Sequence, residues 1–498
     1  MKKQFWGIFL TICLCFVFSG CGTMSLVEAY SKEVSTYDIS ATLNYTEKTL
    51  DAVETVSYIN KTDMQLNEIK FHLYPNAFSS EATKYKAVNA NQFSKAYDND
   101  FSEGHITITN VRLGNTTVTF EITGEDKNIL SIPIDSGLKP NCYLDIEITF
   151  SLVIPNCNHR FGYGKNALNL GNWYPIACVF EDEKWVTDGY STNGDPFYSD
   201  ISNYNVRLTY QKDLTLVSTG NLLSSELSGD NTTSLYQAKA VRDFAMVLSS
   251  KFKVLKGEVG ETTVNYYYYD DPNAESNLET SMDAVTTFNE MIGVYPYKVL
   301  NVVKTNFLQG GMEYPNLVYI SDTVTVDSEY KNVIVHEIGH QWWYGVVGSN
   351  ECEYAWMDEG LTEYITALFY DKNEGYEMTT QEVLSNALNA YLLFADVYQE
   401  VYGTLNTSMN RNIHDFNTET EYVYLTYVKG ILMFDSIAEV VGQNKMEKCL
   451  QEYFKTCAMK NATPSDMINC FEKASHKKLS SFIMSWLDGS VVLEELSR

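Results

Sequence analysis

Val335-His336-Glu337-Ile338-Gly339-His340-Gln341-Trp342 is the stretch of this sequence with the most specific chemistry. On an α-helix, His336 and His340 project from the same face because they are four residues apart. Two neutral imidazoles in that arrangement can bind one zinc ion. Glu337 then lies beside the ion and can take a proton from the attacking water. A chain with 7 His and 64 acidic residues contains this pattern by chance only about 0.01 times. We therefore predict a catalytic zinc site.

A catalytic zinc ion has three protein ligands and one water, so a third ligand is required. Downstream lies Trp356-Met357-Asp358-Glu359-Gly360-Leu361, in which Glu359 follows His340 by 19 positions. Asp358 and Glu363 are also candidates by spacing. The spacing alone does not show whether Glu359, Asp358 or Glu363 is the third ligand.

The composition is that of a globular protein with several domains. The chain has 498 residues, of which 45% are hydrophobic and 20% charged, and this balance excludes wholesale disorder and fibrous repeats. The net charge of −28 repels phosphate backbones, so we expect no nucleic acid partner.

The first half alternates apolar and polar residues. Leu144-Asp145-Ile146-Glu147-Ile148-Thr149-Phe150 is one example, and His105-Ile106-Thr107-Ile108-Thr109 is another. A period of two is typical of half-buried antiparallel strands. We predict one β-sandwich-like domain over residues 36–250.

The second half changes to a helical period. Leu278, Met282, Val285, Phe288 and Ile292 lie on one face of an amphipathic helix. Similar patterns predict helices near 327–344, 361–370, 380–400, 419–441 and 465–475. We predict a second, mainly helical domain over residues 251–498.

Four motifs occur together in the order of one known family. His-Glu-x-x-His continues as His340-Gln341-Trp342-Trp343, and a Trp-x-x-Glu-Gly segment follows. Gly310-Gly311-Met312-Glu313-Tyr314 is similar to a Gly-x-Met-Glu-Asn exopeptidase motif, and Tyr427-Val428-Lys429-Gly430 matches a Tyr-x-Lys-Gly motif. In these features the chain resembles the aminopeptidase N family of zinc metallopeptidases, the gluzincins that include the leukotriene hydrolase.

The resemblance implies a saddle-like β domain followed by a thermolysin-like α/β catalytic domain. It implies that Glu359 is the third ligand of a single zinc ion. Glu313 is expected to hold the free α-amine of a peptide, and Gly310, Gly311 and Met312 to line the substrate as an edge strand. Tyr427 is expected to donate a hydrogen bond to the developing oxyanion. From the residues alone, Tyr424 and Tyr427 could both be packing residues.

The function implied is hydrolysis of the N-terminal peptide bond of peptides with a free N-terminus. A zinc endopeptidase with the same core is one alternative, and Glu313 argues against it. A surface binding protein with a degenerate zinc site is a second alternative. The oligomeric state cannot be derived from the sequence.

The sequence departs from the family pattern in three places. Tyr314 replaces the Asn of the exopeptidase motif, and Asp358 stands where Asn is usual. Only 68 residues follow Gly430, so the large helical C-terminal domain of many relatives is expected to be absent. We therefore expect a more open cleft.

The N-terminus has the pattern of a lipoprotein signal. Lys2 and Lys3 precede an apolar run over residues 5–18, which is shorter than the roughly 20 residues of a spanning helix, and Ser19-Gly20-Cys21 follows. This ending resembles the lipobox of bacterial lipoproteins. We predict a signal peptide over 1–21, lipidation of Cys21, a polar tether over 22–35 and a membrane-anchored protein outside the cytoplasm, at the bacterial cell surface or envelope. Ordinary secretion and an uncleaved anchor are the alternatives.

Beyond Cys21 the chain has seven scattered cysteines and no Cys-x-x-Cys pair. This pattern is not a disulfide framework, and we expect buried, unpaired thiols.

Overall fold

The structure is a computed structural model that describes residues 25–493. The predicted signal peptide, Cys21 and the first residues of the predicted tether lie outside the described residues. The described part is β-rich in its first half and mainly helical in its second half.

The strands of the first half are β1 (Ser35–Asn44), β2 (Thr49–Ile59), β3 (Leu66–His72), β4 (His105–Leu113), β5 (Thr116–Thr117), β6 (Glu121–Thr123), β7 (Ile129–Leu138), β8 (Tyr143–Val153), β9 (Phe161–Tyr163), β10 (Leu168–Leu170), β11 (Ile176–Ala177), β12 (Phe180–Glu181), β13 (Lys184–Trp185), β14 (Ser202–Gln211), β15 (Thr215–Ser218), β16 (Asn221–Ser228), β17 (Asn231–Val241) and β18 (Met246–Ser249). Those of the second half are β19 (Lys253–Val259), β20 (Thr262–Tyr268), β21 (Val299–Thr305), β22 (Gly311–Met312), β23 (Leu317–Ser321), β24 (Val347–Gly348) and β25 (Lys460–Asn461).

The α-helices are α1 (Leu26–Tyr30), α2 (Phe93–Ala96), α3 (Ala274–Met291), α4 (Asp327–Gly339), α5 (Glu351–Tyr354), α6 (Glu359–Lys372), α7 (Thr380–Tyr402), α8 (Glu419–Val423), α9 (Lys429–Val441), α10 (Gln443–Cys457), α11 (Pro464–Ser475) and α12 (Ser480–Leu487). A π-helical turn, Tyr424–Val428, joins α8 to α9.

The first half is built on an eight-stranded sheet with the order β16-β17-β14-β1-β2-β8-β4-β5. Burial alternates along β1 and β8, as the sequence period requires. One pair differs from the predicted antiparallel arrangement, because β1 runs parallel to β14. These two strands are far apart in sequence, and local alternation carries no information on their relative direction.

Two four-stranded sheets, β15-β18-β10-β9 and β11-β3-β7-β6, and the two-stranded sheet β12-β13 complete the first half. Their buried side chains join those of the large sheet and of the second half in one hydrophobic core. The predicted domain boundary at 250/251 falls between β18 and β19.

The second half begins with a five-stranded sheet in the order β19-β20-β21-β23-β22. Strand β22 is at the edge and runs antiparallel to β23. Helix α4 packs on β22 and β23 and also contacts α3 and α6, and α6 in turn packs on α9. The helix that carries His336 is therefore held between the edge strand and α6.

Arg242 joins the two halves through its buried guanidinium group. Its Nε donates to the backbone carbonyl of Tyr344 at 2.7 Å, and its Nη2 donates to that of Lys460 at 2.5 Å. A further bond reaches Ser199 in the first half. Because buried charged groups must have their hydrogen bonds satisfied, this residue fixes how the halves meet.

The seven cysteines between Ser25 and Leu493 are unpaired, as expected, and six are buried. Cys142 is exposed, contrary to the expectation, because it follows a turn at the start of β8. Within the described range, no helix combines the length and apolar character needed to cross a lipid bilayer.

Glu54 lies in β2 on the buried face of the large sheet. Its two carboxyl oxygens are buried and have no hydrogen-bond partner among the described residues. Burial raises the pKa of Glu54 well above its ordinary value of 4.5. The folded protein therefore keeps this proton at pH values where the unfolded chain has lost it, so this group lowers stability as pH rises above 4.5.

We expect Glu54→Gln to be more stable than the wild type at pH 8, with the gain shrinking toward pH 5, because glutamine has no proton to lose. Thermal unfolding across this pH range measures the effect. Asp51→Asn, an exposed change in the same strand, is the control and should show no such trend. A wild type as stable as Glu54→Gln at pH 8 would contradict the burial argument.

Candidate active site

Helices α4 and α6 bring His336, His340 and Glu359 to one point. The two imidazole Nε2 atoms are 3.0 Å apart, and Glu359 Oε2 lies 3.3 Å from His336 Nε2 and 3.1 Å from His340 Nε2. With metal–ligand distances of about 2.0–2.1 Å, ligands on a tetrahedral zinc ion lie about 3.3 Å from one another. The three buried side chains therefore fit one zinc ion.

The second nitrogen of each imidazole lies close to an oxygen atom. His340 Nδ1 lies 3.0 Å from the backbone carbonyl of Trp343. A carbonyl only accepts, so we assign the proton to Nδ1, which leaves the lone pair of Nε2 for a metal. Glu363 Oε1 lies 3.1 Å from Nδ1 of His336 and favours the same tautomer there.

The structure shows which of the three candidate acids lies next to both histidines. Glu359 alone reaches both Nε2 atoms. Glu363 lies on the far side of His336, and Asp358 caps α6 by accepting from the backbone N–H of Glu359 at 2.7 Å. Burial raises the pKa of Glu359, but the charges and hydrogen bonds of His340 and His336 outweigh it, and its pKa is lowered. The carboxylate is thus ionised, which is the form that binds a cation.

Glu337 lines the same cavity and lies against the edge strand. A Cβ atom on Gly311 would be 2.3 Å from Glu337 Oε1, so only glycine at this position allows the carboxyl group to lie here. Burial raises the pKa of Glu337 to about 7, with the nearby histidines acting in the opposite direction. A carboxyl group with a pKa near neutral is suited to accept and return a proton.

Tyr427 lies in the π-helical turn before α9. Its hydroxyl donates to Glu359 Oε1, and its ring stacks on that of His336 with centroids 6.1 Å apart. Tyr424 instead stacks on Phe394 of α7 at 4.4 Å. Of the two tyrosines that could both have been packing residues, Tyr427 therefore lines the cavity and Tyr424 packs between helices.

A contact between two glycines holds Tyr427 beside Glu359. A Cβ atom on Gly430 would lie 2.7 Å from the Cα of Gly360, and one on Gly360 would lie 3.0 Å from the Cα of Gly430. Helices α6 and α9 thus meet backbone to backbone. Gly360 immediately follows Glu359, and Gly430 lies three residues after Tyr427.

Two further carboxyl groups, those of Glu313 and Asp195, line the cavity. Glu313 is buried, and its Oε1 has no hydrogen-bond partner among the described residues. Asp195, from a loop of the first half, also lines the cavity and pairs with Arg160. Burial, and after it the charge of Asp195, raises the pKa of Glu313. Sequence reasoning missed Asp195, because it lies 118 positions before Glu313 and belongs to no motif with a fixed spacing.

The remaining residues of the exopeptidase motif divide between cavity and core. Gly310 and Gly311 line the cavity. The side chain of Met312 is fully buried, and its sulfur accepts from Arg160 Nε at 3.0 Å, so the predicted contact of this edge strand with substrate, which its backbone would make, stays a prediction. In an antiparallel edge strand, successive side chains point to opposite faces, so Met312 faces the core.

Tyr314, the residue in place of the usual Asn, also points into the interior. Its hydroxyl donates to Asn172 Oδ1 in the first half at 2.6 Å. A Cβ atom on Gly171 would lie 2.0 Å from that hydroxyl. The tyrosine therefore joins the two halves behind the site and does not line the cavity.

The cavity has a volume of about 320 Å³ and a strongly acidic wall. Among its described lining residues, Arg160 is the only lysine or arginine, and it is paired with Asp195. The acidic lining residues are Asp195, Glu313, Glu337, Glu359, Glu363 and Glu419. Such a wall favours cations, both a metal ion and an ammonium group.

Residues 276–486 match the Peptidase family M1 domain. Leucine aminopeptidase 2-1 of Meyerozyma guilliermondii is 26% identical over 177 residues, which cover 34% of this chain and 28% of that protein. Aminopeptidase N of Haemonchus contortus is 21% identical over 297 residues, 55% of this chain and 30% of that protein. The alignments thus span less than a third of either relative.

The fold extends the similarity over nearly the whole chain. The crystal structure of a mutant M1 zinc metallopeptidase from Deinococcus radiodurans, bound to a Tyr-Ser-Ala substrate, superposes with a TM-score of 0.65 at 13% identity. The superposition covers 92% of this chain and 95% of that one. The predicted fold class, a β-rich domain followed by a mainly helical one, is confirmed.

The fold is similar to that of the solved M1 zinc metallopeptidase, and His336, His340 and Glu359 form a group that fits one metal ion. The match over residues 276–486 covers less than half of the chain. It agrees with the family predicted from the motifs, and the three buried side chains fit the predicted zinc ion. The roles of single residues and the lipid anchor stay predictions.

We expect His340→Ala to lose tight zinc binding, because two of three protein ligands remain. Glu337→Gln should keep a full equivalent of zinc, since this side chain is not one of the three ligands. Metal analysis of the purified proteins after dialysis measures both. A metal-free Glu337→Gln protein would show that the ligand set is wrong.

We expect Gly430→Ala to lower the free energy of unfolding by about 1–3 kcal/mol, because the new methyl group must push α6 and α9 apart. Urea unfolding measures the change. Gly375→Ala is the matched control, since a Cβ atom there meets nothing within 4 Å. If both variants unfold at the wild-type urea concentration, the glycine contact does not constrain the helices.

Proposed function

We propose that this protein is a zinc aminopeptidase that removes the N-terminal residue from peptides. The observation that carries the proposal is that Glu313 and Asp195 line the same small cavity as the three zinc ligands. An ammonium group bound at these two carboxyl groups places the first peptide bond, and no later one, near the ligands. The substrate-bound Deinococcus radiodurans relative supports a peptide as the substrate class.

The free α-amine is held by charge. Glu313 Oε1 is buried without a partner, and an unpaired buried acceptor is costly unless a ligand completes it. A substrate ammonium group does so with a charge-assisted hydrogen bond. Asp195 adds a second negative charge, which Arg160 keeps in place. An acetylated N-terminus has no charge and cannot make these contacts.

Glu337 is the proton carrier in the proposed reaction. When bound at His336, His340 and Glu359, zinc supplies Lewis-acid activation of water and of the scissile carbonyl. Glu337 takes the proton from the attacking water onto its carboxylate and then gives it to the nitrogen of the leaving peptide. Contact with Gly311 keeps the carboxyl group between the edge strand and the ligands.

Tyr427 donates a hydrogen bond to the oxyanion that develops on the attacked carbonyl. Burial raises its pKa well above the ordinary value, and the charge of Glu359 adds to this effect. The phenol therefore keeps its proton and acts as a donor. Before substrate binds, the hydroxyl donates to Glu359, which keeps it oriented toward the site.

The proposal is tested with aminoacyl reporter substrates and short peptides in free and N-acetylated forms, with zinc content measured on the same sample. An aminopeptidase cleaves the free form and leaves the acetylated one intact. Cleavage of acetylated peptides at internal bonds would identify the alternative, a zinc endopeptidase.

We expect Glu313→Gln to reduce kcat/KM for free-amine substrates by ten- to a hundredfold, because a charge-assisted contact contributes about 1.5–3 kcal/mol. The zinc content should stay at the wild-type level, since Glu313 is not a ligand. Glu374→Gln, an exposed change outside the cavity, is the control. If Glu313→Gln cleaves a free-amine dipeptide as fast as the wild type, Glu313 does not hold the amine.

We also propose that the enzyme is held at the outer face of a bacterial membrane by lipid on Cys21. The support is the order of basic residues, apolar run and Ser19-Gly20-Cys21 in the sequence. Each buried methylene of a lipid chain contributes about 0.8 kcal/mol to membrane binding.

Fractionation of cells that express the wild type or Cys21→Ala tests this anchor. We expect the wild type in the membrane fraction and the variant in a soluble fraction, because the variant cannot carry the lipid. Cys142→Ala, which removes an exposed thiol elsewhere, is the matched control and should remain with the membrane. Equal distribution of wild type and Cys21→Ala would exclude lipid on Cys21 as the cause of retention.

A further inference from the structure

Strand β16 is an exposed edge of the eight-stranded sheet. All of its residues are exposed, and three of them are leucines, Leu222 (53%), Leu223 (54%) and Leu227 (68%). Among the described strands, β16 pairs with β17 alone, so the backbone groups on its outer side have no strand partner. Single exposed apolar residues are common, but a group of them on one edge indicates a contact surface.

A bulge in β16 brings two of these leucines to the same face of the sheet. Leu222 lies opposite Tyr236 of β17, and the register shifts by one at Leu223. Leu227 lies opposite Thr232. In a regular strand, residues five positions apart point to opposite faces. Because Tyr236 and Thr232 are four positions apart, the extra residue places Leu222 and Leu227 on a common face.

This edge also lacks the charges that usually protect exposed strands. Glu226 is the only charged residue between Asp213 and Asp230, in a chain of which 20% is charged. It lies opposite Thr233, so it points to the other face from the two aligned leucines. Natural proteins usually place lysines or other charges on an open edge to prevent unwanted pairing. An apolar edge without them is suited to contact with another surface.

The described chain begins beside this edge. Helix α1 packs on β17, the neighbour of β16, and Asn203 of β14 donates to the backbone carbonyl of Ser31 at the end of α1 at 2.8 Å. The N-cap of α1 is Ser25, four positions after Cys21. Four residues span at most about 14 Å even when fully extended. A lipid on Cys21 therefore keeps a bilayer close to α1, and β16 is only one strand spacing, about 4.8 Å, beyond β17.

We propose that the β16 edge lies on the membrane to which Cys21 is anchored, and that Leu222, Leu223 and Leu227 enter the interfacial layer of the bilayer. The inference rests on the proposed lipid anchor and adds a second contact, which orients the enzyme on the membrane. The outer N–H and C=O groups of β16 stay at the depth of the hydrated headgroups, because the hydrocarbon core offers them no hydrogen bonds. The leucine side chains alone reach deeper.

The test supplies the anchor chemically, so that it does not depend on lipidation in cells. The chain from Cys21 onward, carrying Cys142→Ala, is coupled through its Cys21 thiol to a maleimide phospholipid in vesicles of phosphatidylethanolamine and phosphatidylglycerol. Among the described cysteines, Cys142 is exposed and the others are buried, so its replacement leaves Cys21 as the accessible thiol.

Hydrogen exchange of the backbone amides is then measured on the coupled protein and on the same protein free in solution. We expect the amides of β16 to exchange at least about threefold more slowly in the coupled protein, because the bilayer restricts their contact with water. The β4–β5 edge, at the opposite end of the same sheet, is the internal control and should exchange equally in both samples.

Leucine variants show whether these side chains make the contact. Leu222→Ser combined with Leu227→Ser should remove most of the protection of β16 while the protein stays coupled. Val254→Ser changes an exposed apolar side chain (40%) on β19 and should keep the protection. Thermal unfolding of the free proteins confirms that the variants are folded. A double serine variant that is protected as fully as the parent would show that the leucines do not touch the bilayer.

Three further outcomes are distinguishable. Equal exchange of β16 with and without vesicles overturns the membrane surface, whatever cell fractionation shows for the anchor. Protection of β16 in the coupled protein, together with equal fractionation of wild type and Cys21→Ala, supports the surface and excludes the natural anchor. If β16 is protected without vesicles and the free protein sediments as a dimer, the edge pairs with a second copy of the chain, and the proposal is wrong.

Discussion

The backbone contact between Gly360 and Gly430 is the constraint on which the geometry of the site depends. Two helices can approach this closely only where neither has a side chain at the crossing point. Glu359 precedes one glycine, and Tyr427 lies three residues before the other. The contact therefore sets the distance between a metal ligand and the hydroxyl that faces it. Helix α6 also packs on α4, and this packing places Glu359 next to the two histidines. The glycine contact with α9 therefore helps to position the third ligand.

The acidic cavity is an energetic cost that only ligands can offset. The charges of Asp195 and Glu337 add to burial in raising the pKa of Glu313, and that of Asp195 adds to burial in raising the pKa of Glu337. An isolated folded chain gains nothing from this arrangement. A zinc ion neutralises the charge at the histidines, and a substrate ammonium group neutralises it at Glu313. Local violations of the rules for a stable interior are typical of functional sites, and here they coincide with the places where two cations are expected to bind.

The β-rich half is part of the active site and not only a support for it. It contributes Asp195 and Arg160 to the lining of the cavity, and the bond from Tyr314 to Asn172 joins the halves behind the edge strand. The proposed recognition of the amine thus depends on how the two halves meet.

Local sequence determined the elements of the site whose geometry is set within one helix turn or one strand. His336 and His340 had to share a face because an α-helix repeats every 3.6 residues, and alternation indicated the strands of the first half. Even α10, which was not predicted, carries a helical apolar period that could have revealed it. Only the tertiary structure decided that Glu359 rather than Glu363 meets both histidines, that Asp195 faces Glu313, and that β1 runs parallel to β14. These contacts join residues that are distant in the chain, or they depend on which of two adjacent turns of a helix faces a neighbour. Both are decided by how whole helices and strands pack, and the local periodicity of the sequence carries no information on that packing.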